Sequence, residues 1–286
     1  MSIAGPERGT SELDQLFAAT RAANRAALIG YLPVGFPDLR RSRELLLAMI
    51  DGGCDLVEVG MPFSDPVIDG PVIQAAQQQA LAAGTRIADV LGTVEEVAAA
   101  GGRAVIMTYF NPVLAYGPDK FARDLASAGG SGVITPDLIV DEAGPWLAAT
   151  GAAGIAPIFL VAPSSPMDRI SVTAAATRGF LYAASTMGVT GARDQVSSSA
   201  PELVARCRQA TDLPIGVGLG VRTADQAAQI ADFADAVIVG SAFVTLAGQD
   251  DGAQAAVAGL AADLAAGVRR RGRTGAPDSR IQETTA

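Results

Sequence analysis

The chain contains no histidine, one lysine (Lys120) and two cysteines (Cys54 and Cys207) among its 286 residues. Without histidine there is no Ser-His-Asp or Cys-His nucleophile system, and the commonest ligand of zinc is missing, so no metal site is expected. Lys120 sits in AYGPDKFA, where Gly-Pro-Asp reads as a turn into a helix start. A solvated amine there stays charged, which argues against Schiff-base chemistry. The cysteines lie far apart and outside any Cys-x-x-Cys pair, so both read as small core residues. No segment approaches the ~18–20 uninterrupted apolar residues of a membrane span, and MSIAGPERGTSELDQ is too polar for a secretory signal. A cytoplasmic protein with no membrane contact is expected. The net charge of −9 argues against nucleic acid as the main partner. Acid–base work near neutral pH is left to carboxylates, tyrosines and backbone dipoles.

What is present is a globular composition, 49% hydrophobic and 18% charged. Eight short β-branched runs read as strands: 26–32, 55–60, 104–110, 131–136, 155–161, 179–185, 213–220 and 235–240. Between them lie helical segments at 39–51, 73–100 with an interruption at Gly84, 119–128, 141–149, 167–176, 200–210 and 223–231, with a last one near 242–268. Strict alternation of strand and helix argues for a parallel sheet with helical crossovers. Eight units in about 250 residues match a (β/α)8 TIM barrel. A doubly wound open sheet shares the alternation and is the structural alternative. The segment SELDQLFAATRAANRAA reads as an extra N-terminal helix that plugs the barrel's N-terminal end. The expected organisation is a tail over 1–10, a barrel over 11–268 and a polar tail over 269–286.

The run VEVGMPFSDPVIDGP (57–71) carries the chemistry. Strand side chains alternate, so if Val57 and Val59 face helices, Glu58 faces the barrel axis. Burial there raises its pKa toward the range of a general acid or base at neutral pH, unless an arginine pairs with it. Asp69 comes late in a proline-restrained loop and can fold back over the mouth, so two carboxylates in unlike surroundings permit two roles. Near the other end, GVGLG (216–220) and VGSAFV (239–244) place Gly220, Gly240 and Ser241 at loop and helix starts suited to an anion. STMGVTGARD (185–194) reads as a lid containing Thr190 and Gly191. Tyr31, Tyr109 and Tyr182 fall at the ends of three strands on the same mouth, which suits a flat aromatic substrate.

Together these segments resemble the alpha subunit of tryptophan synthase, from about Leu16 to Gly248. VEVGMPFSDPVIDGPVIQ follows that family's catalytic strand and loop almost residue for residue, and MTYFNPV, FLYAASTMGVTG, GVGLGV and VGSAFV match in order. The resemblance implies a (β/α)8 lyase that splits indole-3-glycerol phosphate into indole and glyceraldehyde-3-phosphate without a cofactor. It also implies delivery of indole to a PLP-dependent beta subunit in an alpha2beta2 assembly. It assigns Glu58 as acid/base, Asp69 beside the indole nitrogen, Tyr182 to the substrate pocket and Thr190 to the lid. Gly191, Gly220, Gly240 and Ser241 become phosphate binders. The sequence departs from the pattern at Ile139, where family members often carry proline in a loop that meets the beta subunit, at Thr186 (often Arg) and at Leu219 (often Phe). Two alternatives follow: a stand-alone indole-releasing lyase, and a weakly active barrel that serves to activate a partner.

Overall fold

The computed structural model describes residues 11–184, 199–218, 220–249 and 251–271. The chain opens with α1 (Glu12–Ala22) and continues through β1 (Ala27–Pro33), α2 (Leu39–Asp51), β2 (Leu56–Gly60), α3 (Pro71–Ala82), α4 (Ile87–Ala99) and β3 (Ala104–Met107). There follow α5 (Phe110–Tyr116), α6 (Pro118–Ser127), β4 (Gly132–Ile134), α7 (Gly144–Ala153), β5 (Ala156–Ile158), β6 (Leu160–Val161) and α8 (Met167–Ala176). The last third contains β7 (Leu181–Ala184), α9 (Ser199–Ala210), β8 (Ile215–Gly218), α10 (Ala224–Ala231), β9 (Ala236–Val239), α11 (Ser241–Ala247) and α12 (Ala253–Val268).

All strand pairings are parallel, and the order β5-β4-β3-β2-β1-β9-β8-β7-β6 begins and ends on adjacent segments of chain. Only Phe159 separates β5 from β6. The first half pairs with β4 through Ile134 and Ile158, the second with β7 through Leu160 and Tyr182. The Phe159 carbonyl accepts from the Tyr182 N–H at 3.1 Å, so the two halves act as one bent strand that closes the sheet. Eight staves result, and the open doubly wound alternative is ruled out. No helix of the described residues is long and apolar enough to cross a membrane.

The strand alternation sorts side chains into two cores. Ala27, Ile29, Leu56, Val105, Ile134, Ala156, Ile158, Phe180, Ala236 and Ile238 point inward and pack as one cluster. Val57, Val59, Val133, Val217 and Val237 point outward against the helices. The bottom of the interior is filled by α1, whose buried face is Leu13, Leu16, Phe17 and Thr20, the i, i+3, i+4, i+7 spacing of one helical stripe. Phe17 meets Phe180 with ring centroids 5.7 Å apart. Ser11 starts this helix with a reciprocal capping box, accepting from the Asp14 N–H at 3.1 Å. At the same rim, Arg25 donates twice to Asp55, at 2.7 Å each, and Asp55 also accepts from the Leu28 N–H. This ties the starts of β1 and β2 together.

Three segments differ from the sequence expectation. The run 104–110 is strand only to Met107, because the Phe110 N–H donates to the Asp137 carboxylate at 2.9 Å and starts α5 there. The segment 73–100 divides into α3 and α4 around Gly84, which takes φ +86°. The C-terminal segment likewise divides, with Gly252 at φ +76° before α12. Residues 1–10 and 272–286 of the expected tails lie outside the described residues, whereas Arg270 pairs with Asp225 of α10 at 2.7 Å.

If α1 is the barrel's plug, Phe17→Ala leaves a cavity at the closed end, far from the mouth. The expected cost is about 3–5 kcal/mol of stability. Turnover measured well below the melting temperature should remain at the wild-type level. Denaturant unfolding and steady-state rates on the same preparation check both halves.

Candidate active site

Glu58 is the central residue of β2, level with Tyr31 on β1 and Val105 on β3. It shares the inward parity of Leu56, so its carboxyl enters the barrel interior from an apolar wall. It is fully buried, and neither oxygen has a hydrogen-bond partner among the described residues. No arginine of the described residues pairs with it. Burial alone therefore pushes its pKa up, to about 8. The carboxyl is held as the neutral acid through the acid and neutral range, available to donate a proton.

Asp69 approaches the same chamber from the loop between β2 and α3, and it too is buried. Its surroundings are unlike those of Glu58. Oδ2 accepts from the Tyr109 hydroxyl at 3.1 Å and from the Gln77 amide at 2.9 Å. Desolvation raises its pKa, and the two donors oppose that rise. The Asp69 carbonyl accepts from Gln74 at 2.8 Å, Ile68 N–H donates to Tyr109, and Phe63 stacks on Tyr109 at 4.9 Å. A loop of ten residues is thus fastened to α3 and to the end of β3 at several points.

The three tyrosines converge as the sequence predicts. Tyr31 and Tyr109 are buried and Tyr182 is half-buried. Desolvation first, and then the fields of Glu58 and Asp69, hold the Tyr31 and Tyr182 phenols well above their usual pKa. Both phenols remain neutral donors. Their rings need space on the neighbouring strands: a Cβ at Gly60 would sit 2.7 Å from the Tyr31 hydroxyl, and one at Gly218 2.6 Å from the Tyr182 hydroxyl. Glycine at these two positions leaves room for the phenols.

On the opposite side of the mouth, Gly220 takes φ +63°, and Gly240 links β9 to Ser241 at the start of α11. A Cβ at Gly240 would touch the Tyr31 ring at 3.4 Å, so this glycine borders the same chamber. Thr190 and Gly191 lie outside the described residues, as do Thr186 and Leu219. Gln77 is absent from the sequence expectations. Its signal is a position in the buried stripe of α3, Ile73, Ala76, Gln77 and Ala80, where an amide stands among apolar residues.

A closed (β/α)8 barrel that carries two buried carboxyls at the catalytic ends of its strands, one bare and one held by donors, has the constitution of an acid–base enzyme. The sequence profile described as tryptophan synthase alpha chain matches residues 17–268. The tryptophan synthase alpha chain of Mycobacterium avium is 60% identical over 261 residues, 91% of this chain and 96% of that one. A solved structure of Mycobacterium tuberculosis tryptophan synthase superposes with a TM-score of 0.86 at 57% identity, covering 91% of this chain and 98% of that one. The Legionella pneumophila alpha chain keeps the fold at 28% identity, with a TM-score of 0.82 and 92% and 99% coverage. The chain belongs to the tryptophan synthase alpha chain family, and it is a lyase.

The bare carboxyl has a consequence for stability. The folded pKa of Glu58 lies near 8 against an ordinary 4.5, so the folded state keeps a proton that the unfolded chain releases. The contribution is complete below about pH 4.5 and is lost as pH rises toward 8. The span corresponds to roughly 5 kcal/mol. Glu58→Gln, which never ionises, should therefore gain stability relative to wild type as pH rises from 5 to 8. Urea unfolding at the two pH values measures the difference, and a gap independent of pH would contradict the burial of an unpaired acid.

Proposed function

We propose that Glu58 and Asp69 divide the retro-aldol cleavage of indole-3-glycerol phosphate between them. The carrying observation is the contrast between an orphaned carboxyl, whose pKa burial pushes up to about 8, and a carboxyl held by two donors that oppose its protonation. Protonated Glu58 gives its proton to indole C3, and positive charge appears on the ring. Asp69 accepts from the ring N–H and stabilises that charge. The C3 to side-chain carbon bond then breaks, its electron pair returning to the ring, while the carbinol hydroxyl becomes the aldehyde of glyceraldehyde-3-phosphate. Glu58, now a carboxylate, takes the hydroxyl proton and regains its starting form. Tyr31, Tyr109, Tyr182 and Thr190 contact the substrate, and Gly191, Gly220, Gly240 and Ser241 receive the phosphate. No cofactor enters this sequence.

The partner in this reading is a tryptophan synthase beta subunit, in an alpha2beta2 assembly, that receives the indole. What supports it is a set of exposed apolar side chains on successive segments of the mouth: Val67 at 71% exposure, Leu114 at 59% and Ile139 at 49%. Beside Ile139 lies a cavity of about 220 Å³ lined by Pro136, Leu138, Phe159 and Leu160. Ile139 takes φ −87°, close to the value a proline ring would impose, and the Asp141–Arg169 ion pair at 2.6 Å fastens the turn that follows to α8. The loop keeps an apolar, restrained surface without the ring. The stand-alone lyase and the weakly active activator have no observation in their favour.

Two measurements test this reading. Glu58→Gln should lower kcat by at least ~10²-fold, and Asp69→Asn should be severely impaired while still binding a phosphate-bearing analogue. In wild type the requirement for neutral Glu58 should make kcat/KM fall as pH rises above about 8. Near-normal turnover of Glu58→Gln would overturn the assignment.

Titrating the chain with beta subunit should raise steady-state indole production saturably, by roughly tenfold or more, through closure and exclusion of water. Ile139→Asp should leave the rate of the isolated chain unchanged while moving half-saturation to at least about tenfold higher beta subunit, because a buried unpaired charge opposes docking. High turnover that beta subunit leaves unchanged would favour the stand-alone lyase.

A further inference from the structure

Gln77 lies on the buried stripe of α3 and is only 2% exposed. A primary amide has two donors and an acceptor, and burying it among Ile73, Ala76 and Ala80 is unfavourable unless these are used. Its oxygen accepts from the Phe63 N–H at 2.9 Å, and its nitrogen donates to Asp69 Oδ2 at 2.9 Å. The first bond dictates the second. A backbone N–H can only donate, so the amide oxygen must face Phe63 and the NH2 group must face the carboxylate. Tyr109 repeats the device: its hydroxyl accepts from the Ile68 N–H at 3.1 Å, which directs its own proton to Asp69 Oδ2 at 3.1 Å.

Both donors bond the same oxygen, and neither is bonded to Oδ1. We propose that Gln77 is a positioning residue for Asp69: with Tyr109 it occupies Oδ2 and fixes the plane of the carboxylate, so that Oδ1 is presented to the ring N–H of the substrate. This rests on the reading of Asp69 as the partner of the ring nitrogen. The arrangement also biases the charge of Asp69. Donors that point at a carboxylate favour the ionised form, and here they counter the desolvation that pushes Asp69 toward the acid. The other titratable groups facing Asp69 are Glu58 from β2, Tyr31 from β1, Tyr109 after β3 and Tyr182 from β7, while Asp65 on its own loop is exposed. Glu58 and the phenols are neutral when the reaction begins, so the two donors are the main influence that opposes protonation of Asp69.

Gln74 provides the internal control. It sits one turn earlier on the same helix and donates to the backbone carbonyl of Asp69 at 2.8 Å, anchoring the loop without touching the carboxylate. The full-length chain is assayed with saturating beta subunit, comparing wild type, Gln77→Met, Gln77→Asn, Gln74→Met and Asp69→Asn by kcat, KM and the pH profile of kcat/KM. Gln77→Asn retains an amide but is one methylene too short to span both partners, so it gives the same readout with a smaller effect on folding. Both Gln77 variants should lose roughly tenfold in kcat with KM changed less than about twofold, and the acidic limb should move to higher pH as Asp69 holds its proton longer. Substrate titration is common to all variants and cancels from that comparison. Gln74→Met should leave the limb where it is. A wild-type limb and kcat in the Gln77 variants, or identical changes in the Gln74 and Gln77 variants, would overturn the proposal and reduce Gln77 to a loop anchor. If Asp69→Asn itself turns over normally, the failure lies in the role of Asp69; if Asp69→Asn is inactive and the Gln77 variants are unchanged, it lies in the positioning role alone.

Discussion

A buried acid with no hydrogen-bond partner among the described residues is the constraint around which this protein is arranged. Glu58 occupies a position that a stable barrel would give to valine or leucine, and no hydrogen bond offsets its desolvation among the described residues. That same lack of compensation supplies its reactivity. An arginine or a backbone N–H at this point would draw the carboxyl back toward its ordinary pKa, and the proposed general acid would be lost. The rest of the barrel tolerates the defect because the interior below it is tightly filled, with α1 inserted from beneath and the inward aliphatic residues closing around it.

Asp69 shows how differently a second carboxyl can be held a short distance away. It lies on a loop, where backbone N–H groups are free to bond side chains instead of a strand ladder. Two of those N–H groups, from Phe63 and Ile68, are used to orient Gln77 and Tyr109, which then both donate to one oxygen. The environments act on the two carboxyls differently: burial alone raises the pKa of Glu58, whereas at Asp69 two donors oppose the same rise. Strand and loop are suited to these opposite tasks, since a strand residue has its backbone fully paired and its side chain surrounded by carbon.

Much of this was legible in the sequence because it depends on period and parity. A glutamate flanked by two valines in a buried strand must face the axis if the valines face helices, and three tyrosines at strand ends must meet at one mouth. The plug followed from the spacing of Leu13, Leu16 and Phe17. What could not be read were features supplied by distant chain. The end of β3 at Met107 is set by Asp137, a cap delivered from the loop after β4 to the Phe110 N–H, and nothing local to residues 104–110 announces it. The bend at Phe159 exists because one half of its strand must pair with β4 and the other with β7. Gln77 was visible as a polar residue within an apolar helical stripe, but its partners lie fourteen and eight residues away in sequence and are brought together only by the fold of the loop.

The glycines at the mouth place these groups in a common economy of space. Gly60 directly follows Val59 at the end of the strand that carries Glu58, and the Tyr31 hydroxyl fills the volume its side chain would take. Gly218 does the same for Tyr182 across the barrel, and Gly240 leaves the other face of the Tyr31 ring uncrowded. The phenols of Tyr31 and Tyr182 can therefore lie against the ends of the neighbouring strands, within the fields of both carboxyls. A side chain at Gly60 or Gly218 would overlap the phenol beside it and force that ring to move, whereas a Cβ at Gly240 would make only an ordinary contact with the Tyr31 ring.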